Sequence, residues 1–211
     1  MSIRRDRNLV TDKSGVALLE FALVLPFLIL LCLGGAEMTN YITTKMRISQ
    51  LALQLADNAA RIGVGAQLAA KTVSETDIND VMTGAQLSSG TLDLKKNGRI
   101  IISDLEPMAT PNTSKKYKIG WQRCYGDQPL ASTYGKAGAT NMAGMGPAGQ
   151  MATAIDDNAT MFVEVHYVCT PLVGSEWMPS AAIHEIASMA VRDRRDLTKI
   201  YNDEKAPVAS C

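Results

Sequence analysis

The sequence predicts an α+β protein with a long N-terminal helix that crosses a membrane and extends beyond it, followed by a small antiparallel-sheet domain. Three observations favour this fold class. One apolar run lies near the N-terminus, a helical pattern continues after it, and alternating segments separated by turn residues fill the second half of the 211-residue chain. Lys plus Arg and Asp plus Glu each total 21, so the net charge indicates neither a nucleic-acid partner nor an acidic one.

The apolar run covers residues 16–36, VALLEFALVLPFLILLCLGGA, and Glu20 is its only formally charged side chain. At about 1.5 Å of rise per residue this run forms a helix of about 31 Å, which matches a hydrocarbon core of about 30 Å. A buried helix of a soluble domain is the competing interpretation, but such a helix is rarely apolar on all sides. The run is therefore predicted to be a single transmembrane helix.

Charges flanking the run predict its orientation. Basic residues outnumber acidic ones before residue 16: Arg4, Arg5, Arg7 and Lys13 against Asp6 and Asp12. Positive flanks stay in the cytoplasm, so we expect the domain after the run to lie outside it, which in a bacterium with two membranes means an inner-membrane protein with a periplasmic C-terminal domain. A cleavable signal peptide ending near Gly34-Gly35-Ala36 is the alternative, although its apolar region would be only about 7 to 15 residues long.

The carboxylate of Glu20 is unusual in an apolar run, because an acidic side chain costs about 2.5 to 3.5 kcal/mol near the centre of a membrane helix and less toward the interface. Glu20 is the fifth residue of the run, so the alternative interpretation is a shallow side chain that reaches headgroups or water. Gly15 stands at the border between the basic leader and the apolar run, and Glu20 is the fifth residue after it, followed by Phe21. This spacing resembles a type IV prepilin site. The resemblance implies that a prepilin peptidase cuts between Gly15 and Val16, and that Glu20 pairs with the new ammonium group of Val16 in a neighbouring subunit. It also implies possible incorporation in an extracellular pilus.

The wider string GVALLEFALVLPFLILLCLGGAEM resembles the N-terminus of TadE-like proteins in Gly15, the EFAL stretch at 20–23 and Pro26, which can kink the helix. Residues 163–172 and 183–195 resemble the family's paired C-terminal elements. The resemblance implies a pilin-like fold and a minor pilin or pseudopilin of a tight-adherence (Tad/Flp) pilus that contributes to assembly and surface adhesion. It implies a prepilin peptidase, other Tad pilins, the inner-membrane assembly platform and membrane lipid as partners. TadE, TadF and a short TadG-like role all stay open.

Composition divides the chain into a leader (1–15), a membrane helix (16–36), a helical extension (37–70) and a periplasmic α+β domain (71–211). Gly63 and Gly65 are expected to weaken or end the extension. Ser74 or Thr76 is expected to cap a short second helix that ends between residues 84 and 90.

Strand patterns begin at residue 91. Residues 91–94 and 100–105 are predicted to form a hairpin around a type I′ turn at Asn97-Gly98. Further strands are predicted at 117–125 and 161–170. Residues 183–191 have a mixed pattern: helical propensity favours a helix, whereas the resemblance to TadE-like proteins implies a last strand, which is preferred. Residues 126–158 are rich in Gly, Ala and Met with few apolar anchors, which predicts a surface loop or a partly disordered insertion.

Cys124 and Cys169 each end a predicted strand in an oxidising compartment, so they are the predicted disulfide pair, with Cys211 as the rival partner of either. Cys32 lies in the membrane run. His166 and His184 do not belong to a cluster with metal-ligand spacing, so no metal or cofactor is predicted.

The acidic residues at 156–157 and 193–196 are interpreted as solvated charges. Nucleotide-binding, hydrolase and metalloprotease motifs are absent from the sequence. We therefore expect a protein that is not an enzyme. The alternative is a single-pass membrane-anchored periplasmic enzyme or sensor domain that keeps its leader.

Overall fold

The computed structural model describes residues 15–66, 69–174 and 180–211, so the predicted leader lies outside the described residues except for Gly15. Within these ranges the chain contains the following elements: α1 (Val16–Arg61), α2 (Glu75–Ser88), α3 (Leu94–Asn97), β1 (Gly98–Pro107), β2 (Tyr117–Tyr125), β3 (Thr160–Cys169) and β4 (Ala181–Ala190). A long apolar helix followed by a four-stranded antiparallel sheet confirms the predicted α+β class.

Helix α1 has 46 residues and is therefore about 69 Å long. Its second half packs on the sheet through one buried stripe with helical spacing: Thr44, Ile48, Leu51, Ala52, Leu55, Ala56, Ala59 and Ala60. Half of these residues are alanines, whose small side chains let the helix lie close to β3 and β4. The helix ends at Arg61 rather than continuing to about residue 70, because Gly63 adopts φ +120 and turns the chain toward Thr72.

The sheet has the strand order β2-β1-β3-β4, and every neighbouring pair is antiparallel. Helix α1 covers one face, where it meets alternate side chains of β1 and β3 such as Ile100, Ile102 and Val163. The strands predicted at 117–125, 161–170 and 183–191 are confirmed within one or two residues. Alternation predicted the strands at 117–125 and 161–170, because each has a face on a core, whereas the strand at 183–191 was preferred because of the family resemblance.

The predicted hairpin at Asn97-Gly98 is wrong. Residues 94–97 form the short helix α3, whose first turn is capped by the Asp93 side chain accepting a hydrogen bond from Lys96 N–H. Gly98 starts β1 with an extended backbone, and a Cβ atom there would lie only 2.6 Å from the Leu94 carbonyl oxygen. The glycine therefore serves a close helix-to-strand approach and not a turn.

The capping residue predicted for the second helix is confirmed at Ser74. Its hydroxyl accepts a hydrogen bond from the Asp77 N–H at 3.1 Å, and the Asp77 carboxylate accepts one from the Ser74 N–H at 2.9 Å. This reciprocal pair is a capping box, which satisfies two backbone donors at the start of α2.

The segment from 126 to 158, which we call the Gly-Met loop, covers the sheet face opposite α1. Met145 is completely buried against Leu105 and Phe162 of this face. Backbone hydrogen bonds join Tyr117 N–H to the Met142 carbonyl and hold the loop beside β2. The loop is irregular, as predicted, but the expectation that it has few apolar anchors is wrong, because sulfur-containing and small side chains fill this second core.

Candidate functional site

The predicted membrane segment, residues 16–36, is exposed along its whole length, and we call it the stem. Leu18, Phe27 and Leu31 are each at least 70% exposed. The stem is continuous with the part of α1 that packs on the sheet, and it is long and apolar enough to cross a membrane. An apolar surface of this size requires lipid or another apolar surface as its partner, so the chain carries a single-pass membrane anchor.

Gly15 precedes α1 with φ −84 and ψ −14, which is a conformation open to every residue. A Cβ atom at this position would meet nothing within 4 Å. Neither backbone strain nor close packing in the described chain therefore requires a glycine here. The cleavage predicted between Gly15 and Val16 stays a prediction, and the fold offers no competing reason for the residue.

Glu20 and Phe21 lie one turn into the helix on its exposed surface, and the Phe21 side chain is 63% exposed. Among residues 15–66, 69–174 and 180–211, no hydrogen bond or ion pair reaches the Glu20 carboxylate. Its predicted pairing with an ammonium group of another subunit is therefore compatible with the geometry of one chain and untested by it.

Pro26 lies inside α1, and the helix continues through it. Proline has no N–H to donate to the carbonyl four residues earlier, so this turn of the stem lacks one backbone hydrogen bond. The predicted kink stays a prediction.

The predicted disulfide between Cys124 and Cys169 is wrong, because Cys124 is bonded to the rival partner Cys211, with 4.9 Å between their Cα atoms. Cys124 pairs with Ile101, which in turn pairs with Glu164, five residues before Cys169 on β3. That offset is about 17 Å along the strand, whereas a disulfide needs Cα atoms within about 7 Å. Cys169 also faces α1, on the opposite side of the sheet, and remains a buried free thiol.

Three buried charged residues that the sequence reading did not single out lie near the C-terminal end of α1. Arg195 donates hydrogen bonds to the carbonyl oxygens of Ala59 at 3.0 Å and Ile62 at 2.9 Å, so its guanidinium caps the helix end. Asp104 and Glu106 on β1 are 1% and 3% exposed. Burial, and then repulsion from Glu106, raise the pKa of Asp104 well above its ordinary value. No local motif marks these residues, since the fold alone brings them together.

Glycine at position 120 makes room for this cluster. A Cβ atom on Gly120 would lie 2.1 Å from Glu106 Oε1, so any larger residue displaces the carboxylate. Lys118 lies 2.9 Å from the other oxygen of Glu106 and balances its charge. Lys118 and the carbonyl groups at the end of α1 are partners of Glu106 and Arg195, whereas Asp104 Oδ1 and Arg195 Nε are buried without a hydrogen-bond partner in the described chain.

Three of the four acidic residues interpreted as solvated charges are exposed and Asp196 is half-buried, and Asp193 and Asp196 also make defined hydrogen bonds. Asp193 pairs with Lys71, whose hydrogen bond and charge lower the pKa of the carboxyl. Asp196 accepts hydrogen bonds from the hydroxyls of Thr198 and Tyr201, which lower its pKa to about 2. Both carboxylates hold the segment after β4 in place.

The two histidines that the sequence did not assign to any cluster lie side by side in the structure. His166 on β3 and His184 on β4 are register partners, and their rings stack with centroids 4.0 Å apart. The interpretation that neither belongs to a cluster is therefore wrong, because the strand pairing was not visible in the sequence.

Comparison with known proteins gives one match. A family model described as TadE-like protein matches residues 15–64, which begin at Gly15 and include the whole of α1. Neither the curated proteins nor the solved structures gave a match. The match ends before residues 163–172 and 183–195, so their resemblance to the family's C-terminal elements stays a prediction, although they form the paired strands β3 and β4.

The family match and the exposed stem agree with the resemblance carried by the N-terminal string. TadE-like sequences indicate an association with the tight-adherence (Tad) pilus, a role that in general involves no catalysis. Residues 15–64 therefore carry the sequence of the TadE-like family, which associates this part of the chain with the Tad pilus.

Proposed function

We propose that this chain is a minor pilin or pseudopilin of a tight-adherence pilus, which acts in pilus assembly and surface adhesion after its leader has been removed. The observation that carries the proposal is the stem, a fully exposed apolar helix with a single carboxylate that is continuous with the helix packed on the sheet. Such a helix can exchange lipid for the helices of neighbouring subunits without unfolding the domain attached to it.

Cleavage between Gly15 and Val16 by a prepilin peptidase is the first step of the proposed mechanism. Gly15 is unexplained by the fold, and a peptidase that holds the scissile backbone closely would favour a residue without a side chain. Cleavage would place an ammonium group on Val16, at the start of α1.

Pairing between that ammonium group and Glu20 of a neighbouring subunit is the second step. Each charge alone is costly in an apolar environment, and pairing offsets part of the cost. A slip of one subunit along another would leave both charges unpaired, so the pair would also set the register of assembly. Other Tad pilins and the inner-membrane assembly platform are the proposed partners, with the sheet domain on the periplasmic side.

Replacement of the stem carboxylate tests this function. Glu20→Ala should insert into the membrane at the normal level but lower the number of assembled pili by at least about tenfold, since an unpaired ammonium would cost several kcal/mol at each interface. Pili sheared from cells and membrane-fraction protein would be measured together by immunoblot.

Glu37→Ala is the matched control, because Glu37 lies on the same helix just beyond the stem and accepts a hydrogen bond from the Leu172 N–H. We expect it to assemble nearly as well as the native protein. Normal pilus output from Glu20→Ala would reject the pairing, and an uncleaved leader in assembled, functional protein would favour a membrane-anchored enzyme or sensor domain.

A further inference from the structure

Glu164, His166 and His184 form a compact group on the sheet face that the Gly-Met loop covers, and we call it the His-Glu cluster. Glu164 and His166 lie two residues apart on β3 and therefore share a face, and His184 is the direct cross-strand partner of His166 on β4. One ligand atom from each of the three side chains lies within 4.8 Å of the other two. These are two imidazoles and one carboxylate.

The carboxylate of Glu164 is completely buried and held in a fixed orientation. One oxygen accepts a hydrogen bond from the Ser132 hydroxyl, and the other accepts one from the Thr133 N–H at 2.9 Å. Within the described part of the chain, no Lys or Arg nitrogen lies within 4.0 Å of it. A buried carboxylate is costly unless a positive charge compensates it, so this site lacks a partner of the usual kind.

The imidazoles present nitrogen atoms to this carboxylate without bonding to it. Nε2 of His166 lies 3.8 Å and Nε2 of His184 lies 3.7 Å from Glu164 Oε2, which exceeds hydrogen-bond length in both cases. The His166 Nε2 atom is buried and has no hydrogen-bond partner in the described chain. The cluster therefore places a buried nitrogen without a hydrogen-bond partner beside a buried carboxylate oxygen, and both are atoms that a metal ion can bind.

We propose that Glu164, His166 and His184 bind one divalent transition-metal ion of the zinc class. Tetrahedral zinc with bonds of about 2.0 to 2.2 Å places its ligand atoms about 3.3 Å apart, a few tenths of an ångström closer than the observed nitrogen-to-oxygen distances. The stacked rings must also tilt to direct both nitrogens at one ion. The side chain of His184 is 33% exposed and can make this adjustment.

Ligand chemistry selects the class of ion. Imidazole nitrogen suits zinc, copper and nickel, whereas calcium and magnesium prefer sites made only of oxygen atoms. Arg99, the cross-strand neighbour of His166 on β1, donates to the Gly126 carbonyl at 2.8 Å and leaves Glu164 free to act as a ligand. Ser132 and Thr133 are the outer partners that orient the carboxylate.

The bound ion would fasten three parts of the domain. It would join β3 to β4, an edge strand of the sheet, and through Ser132 and Thr133 it would hold the Gly-Met loop on the sheet. The inference concerns the sheet domain and does not depend on leader cleavage or pilus assembly.

Zinc binding to the full-length protein tests the proposal. The untagged chain would be purified in detergent, stripped with a chelator and titrated with ZnCl₂ by isothermal calorimetry, since a histidine tag would itself bind zinc. We expect one site with a Kd of about 1 μM or tighter. At a free zinc concentration of about 100 Kd, the melting temperature of the domain should rise by about 5 to 10 °C.

Three variants locate the site. His184→Gln and Glu164→Gln should each weaken zinc binding at least tenfold, and Glu185→Gln should bind normally, because Glu185 neighbours His184 but lies on the α1 face of β4. The His184 side chain is partly exposed, so His184→Gln should fold. The test therefore remains valid even if the buried change Glu164→Gln prevents folding. Absence of zinc binding below about 100 μM, unchanged binding by folded His184→Gln, or preference for calcium over zinc would each overturn the proposal.

Discussion

Arg195 acts at the scale of a single residue by closing the end of the longest helix. The last carbonyl groups of a helix have no partner within it, and Arg195 supplies donors to two acceptors at this end of α1. Burial lowers the pKa of its guanidinium, while the nearby Asp104 raises it. A positive charge at a helix C-terminus also interacts favourably with the helix dipole.

Removal of this cap should destabilise the domain. Arg195→Gln loses the charge and at least one of the two carbonyl contacts, so we expect the free energy of unfolding to fall by about 2 to 3 kcal/mol. Denaturant titration followed by tryptophan fluorescence measures it. Arg192→Gln is the control, because the Arg192 side chain is 65% exposed and its ion pair with Asp57 is long, at 3.9 Å. This change should alter the free energy of unfolding by less than about 0.5 kcal/mol. Equal effects of the two changes would refute the capping role.

Asp104 gives the domain a defined dependence on pH. Its pKa is raised above the ordinary value of 3.8, so the folded state holds a proton that the unfolded state has already released. Stability from this group is therefore fully present below about pH 4 and is lost as the pH rises through the raised pKa. Asp104→Asn should flatten this decline when unfolding is measured between pH 4 and 8. A variant with the same slope as the native protein would contradict the assignment.

At the scale of elements, the segment after β4 is attached at several points to parts of the fold that are distant in sequence. Its backbone bonds to residues between α1 and α2, as in Tyr201 N–H to the Val73 carbonyl. Farther along, the Cys124 N–H donates to the Ala209 carbonyl, and the Cys124–Cys211 disulfide lies beside this bond. The C-terminal segment therefore covers part of the edge strand β2, which limits hydrogen bonding between this strand and the strands of other chains.

Loss of this disulfide should matter, whereas loss of the other thiol in the domain should not. Cys211→Ser opens a connection across 87 residues and should lower the free energy of unfolding by about 2 to 4 kcal/mol. Cys169→Ala removes a buried thiol and should cost less than about 1.5 kcal/mol. Peptide mapping without reduction should recover Cys124 linked to Cys211. A Cys124–Cys169 peptide would contradict the structure.

At the scale of the whole molecule, one helix joins two environments. The stem has the composition of a membrane helix, and the rest of α1 has one buried stripe, so the sequence predicted both parts. The alternation in 117–125 and 161–170 likewise predicted strands, because each has a face in a core. Local patterns identify elements in this way, and the string that begins with Gly15 and contains Glu20 predicted the TadE-like match over residues 15–64.

Features that depend on strand order and register could not be predicted. To predict the disulfide partner of Cys124, one must know that β1 lies between β2 and β3. To predict that His166 stacks on His184, one must know the register between β3 and β4. Arg195 and Asp104 influence each other's pKa only after the sheet is assembled. The members of each pair are far apart in the sequence, so no local spacing predicts that they come together.

The mature N-terminus of the native protein tests the central claim most directly. Intact mass and N-terminal peptide mapping would be compared in cells with and without the prepilin peptidase, and Gly15→Leu would serve as a cleavage-site variant in the same background. We predict a chain that starts at Val16 only when the peptidase is present and Gly15 is intact. A mature chain that starts at Met1 or Ser2, or beyond Ala36, in cells with the peptidase would contradict the account.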